Sequence, residues 1–169
     1  MNIWFTSDHH SGQGAARGLF RRPFATTAEM DAAMIARWNE RVAATDTVWH
    51  LGDFLIRPTS ETVEALLARL NGRKHLIGGN NDPAVTREAS GWSSVRDYHE
   101  LEVEGRFLVL CHYPLRTWNR AGKGAVQLHG HSHGRLKPLT RQFDVGVDLH
   151  GFAPVDLAGL RAGRRVRSG

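Results

Sequence analysis

A chain of 169 residues has the length of one domain and can bury a full core, so it needs neither a disulfide framework nor a structural metal to fold. Its 41% hydrophobic and 23% charged residues are ordinary globular proportions, and the single cysteine, Cys111, excludes a disulfide scaffold and any thiolate zinc site. The net charge of +5 permits an anionic substrate, and no apolar run approaches the ~18 residues of a membrane span.

Residues 3–7 read as a buried first strand that ends at Asp8-His9-His10. A glycine-rich loop carrying Arg17, Arg21 and Arg22 follows. Thr26, with Glu29 three residues on, is a capping box that opens a helix with Met30, Met34, Trp38 and Val42 on one face. Residues 47–51 form a second strand, stopped by Gly52-Asp53. A second helix carries Val63, Leu66, Leu67 and Leu70 and ends at Asn71-Gly72. Residues 74–77 form a third strand running into Gly78-Gly79-Asn80-Asn81-Asp82-Pro83. Beyond it, residues 101–103 and 106–110 flank Glu104-Gly105 as a hairpin whose second arm leads to His112. Residues 125–128 form a strand delivering His129-Gly130-His131-Ser132-His133, residues 143–147 form a last strand, and 155–160 form at most a short helix. The order is β-α-β-α-β followed by a mostly β half. One domain over residues 1–169 is expected, with a flexible basic tail at 161–169.

Five apolar strands thus each end in a short turn holding Asp, Asn or His: Asp8/His10, Asp53, Asn80, His112 and His131/His133. Strand C-terminal ends are where open α/β sheets build their sites. One such turn is unremarkable, whereas five with metal-binding side chains point to a metal centre. Carboxylates, imidazoles and an amide without thiolate suit Mn²⁺ first, then Fe or Zn²⁺, and are too nitrogen-rich for a Ca²⁺ or Mg²⁺ cage. Seven candidate ligands exceed the need of one ion with an open position. Two ions about 3.5–4 Å apart that share a carboxylate account for the number.

Asp8-x-His10, Gly52-Asp53, Gly79-Asn80-x-Asp82, His112 and Gly130-His131-x-His133 resemble, in order and spacing, the signature blocks of the calcineurin-like metallophosphoesterases. The resemblance spans residues 1–134 and is closest to the compact bacterial or phage branch. It implies an α/β fold, a four-layer α/β/β/α sandwich with a dinuclear metal site at the strand C-terminal ends. It also implies that Asp8, His10 and His133 hold one ion, that Asn80, His112 and His131 hold the other, and that Asp53 bridges them. The reaction implied is phosphoester hydrolysis by a metal-bound hydroxide, with His112 and Asn80 helping the ions to stabilise the phosphoryl oxygens. One position departs from the family: where a histidine usually sits beside the leaving group, this chain has Asn81. A carboxamide can hydrogen-bond a departing alkoxide but cannot protonate it. The resemblance implies that members without that histidine hydrolyse phosphodiesters, preferably those with good leaving groups, and the basic charge puts nucleotide-derived or nucleic-acid diesters at the head of the candidate substrates. Asp82 is expected to orient a neighbouring group.

Among the other histidines, His9 is expected to face away from the ions, because successive residues of an extended segment alternate. His129, two before His131 on the same side, is a candidate for supporting a ligand from behind or for the site's rim. Trp118 is a candidate substrate contact, Arg17, Arg21 and Arg22 could bind phosphate or lie in a solvated loop, and Cys111 is expected to point into the core. Two other readings stand beside the diesterase. One is a phosphomonoesterase or protein phosphatase; the other is a weakly catalytic metal scaffold that binds nucleic acid through residues 161–167. A reduced cysteine and the absence of an apolar leader make a cytoplasmic location the expectation, with no membrane partner.

Overall fold

The computed structural model describes residues 1–137 and 139–167. Its first half builds a parallel sheet, in the order β1 (Ile3–Thr6), β2 (Thr47–His50), β3 (Arg73–Ile77) and β4 (Ser94–Arg96). Thr6 pairs with His50, and His50 with Leu76, so three strands finish level with one another. Asp8, Asp53 and Asn80, in the turns that follow, therefore emerge along one edge. The second sheet runs β5 (Tyr98–Val103), β6 (Arg106–Cys111), β7 (Val126–His129), β8 (Gln142–Asp144), with β5–β6 antiparallel and the other pairs parallel. Here too the ends align, Leu110 with Leu128 and Leu128 with Phe143, which delivers His112 and His131 to one edge. A lone parallel bridge between Ser7 and Gly146 ties the two edges together.

The sheets face each other across one apolar cluster: Phe5, Trp49, Leu51 and Ile77 from the first meet Val103, Leu108, Leu110, Val126 and Leu128 from the second. On the outer face of the first sheet lie α2 (Thr27–Arg41) and α3 (Ser60–Arg69), packing Trp38, Val63 and Leu67 on Val48 and Leu76. Thr26 caps α2 by accepting from the Glu29 N–H, as its capping box predicts. Met30, Met34 and Trp38 fall on the buried stripe. The first sheet thus carries helices on one face and the second sheet on the other.

Several elements differ from the sequence reading. Residues 14–19 of the glycine-rich loop form a short helix, α1 (Gly14–Leu19), seated by the buried Ala16. A single turn, α4 (Ala84–Arg87), and the edge strand β4 have no apolar periodicity to announce them. The last strand stops at Asp144, because the Asp144 carboxylate accepts from the Gly146 N–H and turns the chain. The stretch read as a free basic tail from residue 161 continues α5 (Leu157–Arg167), whose first turns are anchored by Leu157 and Leu160 in the core; Ser168 and Gly169 lie outside the described residues. No helix among the described residues is long and apolar enough to cross a membrane.

Candidate metal centre

The five strand-end turns converge. Asp53 Oδ2 lies 3.4 Å from His10 Nε2 and 3.7 Å from His112 Nε2. His133 Nε2 lies 4.0 Å from Asp8 Oδ1, and Asn80 Oδ1 lies 2.9 Å from His131 Nδ1. Asp8, His10 and His133 each offer a ligand atom within 4.8 Å of the others, and so do Asp8, Asp53 and His112. All seven residues singled out by the sequence therefore meet in one place. Asp8 and His112 are fully enclosed, while Asn80 and His131 stand at the open side.

The imidazoles are oriented with bare nitrogens inward. His112 Nδ1 lies 2.7 Å from the Leu51 carbonyl, which fixes its proton there. A neutral His112 then turns an Nε2 lone pair toward the Asn80 Oδ1 lone pairs at 3.0 Å. His133 Nδ1 is likewise 2.8 Å from Asp148 Oδ2, leaving Nε2 free toward Asp8. His10 is buried with neither ring nitrogen hydrogen-bonded. Lone pairs facing one another, and buried nitrogens without donors, are costly unless a cation lies between them. The residues present thus fit divalent metal ions.

Charge crowding points the same way. Burial raises the Asp8 carboxyl well above its usual range; the Ser7 hydroxyl bond lowers it, and Asp144 and Asp53 add repulsion. Burial pushes His10 down to about 4 against the pull of Asp53. A bound divalent cation would favour the ionised Asp8 carboxylate, and the neutral His10 that burial favours is the form that ligates a metal.

Backbone conformation explains why these residues aim inward together. Asp8, His10, Asp53, His131 and His133 all lie in the left-handed region, at φ 59°, 49°, 60°, 68° and 47°. Asp and His tolerate this region better than most residues, but each instance costs roughly 1 kcal/mol. The neighbouring glycines allow the turns to approach. A Cβ on Gly52 would stand 2.6 Å from Gly79 and from His112 Nδ1, and one on Gly130 would stand 2.6 Å from Asp8 Oδ2.

Behind the ligand turns sits a buried polar frame. Asp82 accepts from the N–H groups of Asp53, Gly79 and Phe54 at 2.8, 2.8 and 2.9 Å, and so locks the Asp53 turn to the Asn80 turn. Asn81 donates to Asp53 Oδ2 at 2.8 Å. His9 faces away, as alternation requires, and pairs with His50 at 2.9 Å beneath Trp38 and Phe54. Its burial, with the Arg22 charge, drives its pKa to about 3.

Other candidates fall outside the centre. His129 is buried and donates from Nδ1 to the Gly130 carbonyl rather than lining the rim. The Trp118 indole donates to the Ala125 carbonyl. Arg17 holds the Phe24 and Ala25 carbonyls, Arg22 is buried, and only Arg21 of the three is exposed. Cys111 is half-buried instead of core-facing, because it pairs across the hairpin with the exposed Tyr98. The sequence reading missed Asp148, Phe20 and Tyr113. Phe20 stacks on His133 at 3.6 Å, and exposed Tyr113 meets His131 edge-on at 4.9 Å. Asp148 comes directly after the last strand expected at residues 143–147, which was the one available signal, and stands four residues beyond β8 in the structure.

The comparisons with known proteins agree with this geometry. Residues 1–143 match the model of the calcineurin-like phosphoesterase superfamily domain. The gene 66 protein of Mycobacterium phage D29 is 33% identical, over 92% of each chain, and protein MJ1445 of Methanocaldococcus jannaschii is 26% identical, over 92% of this chain and 86% of its own. The crystal structure of AQ665 from Aquifex aeolicus, a protein of unknown function, superposes with a TM-score of 0.71 at 20% identity, covering 90% of this chain and 94% of that one. The fold is shared with the last of these. The family match and the converging strand-end turns lead to one statement: the chain belongs to the calcineurin-like phosphoesterase superfamily and is a hydrolase of phosphoric ester bonds.

Proposed function

We propose that the chain is a dinuclear metal-dependent phosphodiesterase acting as one domain on nucleotide-derived or nucleic-acid diesters in the cytoplasm. Asp8, His10 and His133 would hold one divalent ion, and Asn80, His112 and His131 the other, with Asp53 shared; Mn²⁺ suits this N/O set best, ahead of Fe or Zn²⁺. The observation that carries the reading is the position of Asp53 Oδ2, 3.4 Å from His10 Nε2 and 3.7 Å from His112 Nε2, between the two groups. When bound, such a pair supplies Lewis acidity to the phosphoryl oxygens and acidifies water at neutral pH.

The chain's own residues do the rest. Asp82 fixes the Asp53 turn so that the shared carboxylate keeps one orientation. His112, with its proton held by Leu51 O, and Asn80 face the phosphoryl position from the second group. Asn81 offers hydrogen bonds and no transferable proton, so the leaving group departs as its anion, which favours esters of acidic alcohols. The net charge of +5 supports an anionic polyester as substrate.

Elemental analysis after saturation with Mn²⁺ should give two ions per chain. Bis-(p-nitrophenyl) phosphate should then turn over faster than p-nitrophenyl phosphate. One ion at saturation overturns the dinuclear assignment, and a faster monoester overturns the diester preference.

A further inference from the structure

We propose that Arg22 is a positioning residue for the Asp8/His10/His133 half of the centre, clamping its two ligand-bearing turns through every donor of one buried guanidinium. The inference rests on the metal assignment proposed above. Arg22 looks like a loop residue beside two other arginines, yet its side chain is fully buried. Nε donates to Asp148 Oδ1 at 2.8 Å, and one terminal nitrogen donates to Asp148 Oδ2 at 3.1 Å and to the Asp8 carbonyl at 2.6 Å. The other donates to the His9 carbonyl at 2.6 Å and meets Met30 Sδ at 3.6 Å. A guanidinium has five N–H groups, and all are used.

These bonds join two parts of the centre that strand pairing links only through the Ser7–Gly146 bridge. On one side are the carbonyls of Asp8 and His9, within the turn where Asp8 and His10 adopt φ 59° and 49°. On the other is Asp148, whose Oδ2 receives His133 Nδ1 at 2.8 Å and so directs His133 Nε2 toward Asp8. Arg22 and Asp148 are 126 residues apart in the chain. Phe20, two residues before Arg22, stacks on His133 at 3.6 Å and fixes the ring from its face. The planar fork is what the site uses: lysine would keep the charge, but its three donors on one atom cannot reach two carbonyls and both carboxylate oxygens.

Arg22→Lys tests this by Co²⁺ binding, read from the d–d absorption band in competition with a chelator, with far-UV circular dichroism reporting the fold. Outer partners of metal ligands typically contribute ~10–100-fold in affinity. Arg22→Lys should therefore weaken the tighter Co²⁺ equilibrium by about that factor and shift its band, with the circular dichroism unchanged. Asp148→Asn should do the same more weakly, and the double variant should lose less than the product of the single effects. Arg41→Lys, which removes an arginine–carbonyl bond at Pro154 far from the centre, should bind as the parent does. Should Arg22→Lys fail to fold, Asp148→Asn carries the test alone. Unchanged affinity and band in the folded variants would overturn the proposal. A parent protein that binds no Co²⁺ would instead overturn the metal assignment beneath it.

Discussion

Asn81 is bound to Asp53 twice: its side-chain amide donates to Oδ2 at 2.8 Å and its backbone N–H to Oδ1 at 2.9 Å. The residue that replaces the family's usual histidine is therefore turned onto the central carboxylate.

Because a carboxamide supplies no proton, the rate should depend on the leaving group. General-acid help is worth ~10²–10⁴-fold. Asn81→His should accelerate esters of poorly acidic alcohols by up to that range and leave activated aryl esters almost unchanged. A leaving-group series at saturating Mn²⁺, run on both proteins, checks it. Parallel slopes would mean that position 81 stands apart from the departing oxygen.

Asp53 is the carboxylate that both groups of ligands approach. Asp53→Asn places an amide where two imidazole nitrogens lie 3.4 and 3.7 Å away. Activity should fall ~10³-fold or more, a barrier change of about 4 kcal/mol. His75→Ala is the control, because His75 stacks on Trp49 and bonds Ser94 away from the centre. Equal rates for the two variants would remove Asp53 from the reaction.

Asp82 should be felt in stability. Its carboxylate faces three backbone donors and is buried. Burial raises its pKa, and the bonds from Phe54, Gly79 and Asp53 oppose that. Asp82→Asn turns an amide N–H₂ toward at least one of those donors, a loss of about 2–3 kcal/mol. For a chain of this size the thermal midpoint should drop by roughly 4–12 °C. A midpoint within about 1 °C of the parent would exclude Asp82 as the lock between the turns.

His50 makes the fold sensitive to acid. Burial, then His9 and His112, hold its pKa well below 6.5. Above pH 6.5 the folded and unfolded chains both keep it neutral, and it adds no slope. Below 6.5 the unfolded chain takes up a proton that the folded chain refuses, so stability falls as the pH drops. His9, at about 3, adds to the same limb. Denaturant unfolding of the EDTA-treated protein from about pH 8 to pH 5 should show that decline, and His50→Gln should make it shallower. An equally steep limb in the variant would locate the sensitivity elsewhere.

The elements legible in the sequence were those with strong local signals. The apolar strands β1, β2, β3, β6 and β7, and the two helices with caps and i+4 stripes, each bury enough surface to be announced by their own residues. The converging turns were legible because every one of them follows such a strand. Helix α1 was not, since its two glycines and Arg17 bury little beyond Ala16. Strand β4 is three residues, two half-buried and Arg96 exposed, whose conformation comes from pairing with β3. The inward roles of Arg22 and Asp148 exist only after contacts across 126 residues have formed, and no spacing encodes them.

That separation also sets when the centre can exist. Asp8 accepts the His131 N–H from 123 residues away, and Ser7 meets Gly146 in the bridge that joins the sheets. Contacts of such long range form late, because the loop between them must close first. A chain emerging from the ribosome therefore carries Asp8 without His131 until 123 further residues have been made. The centre is completed when the turns at His131 and Gly146 dock onto the end of the first strand, so the time course of metal capture during refolding should follow that step.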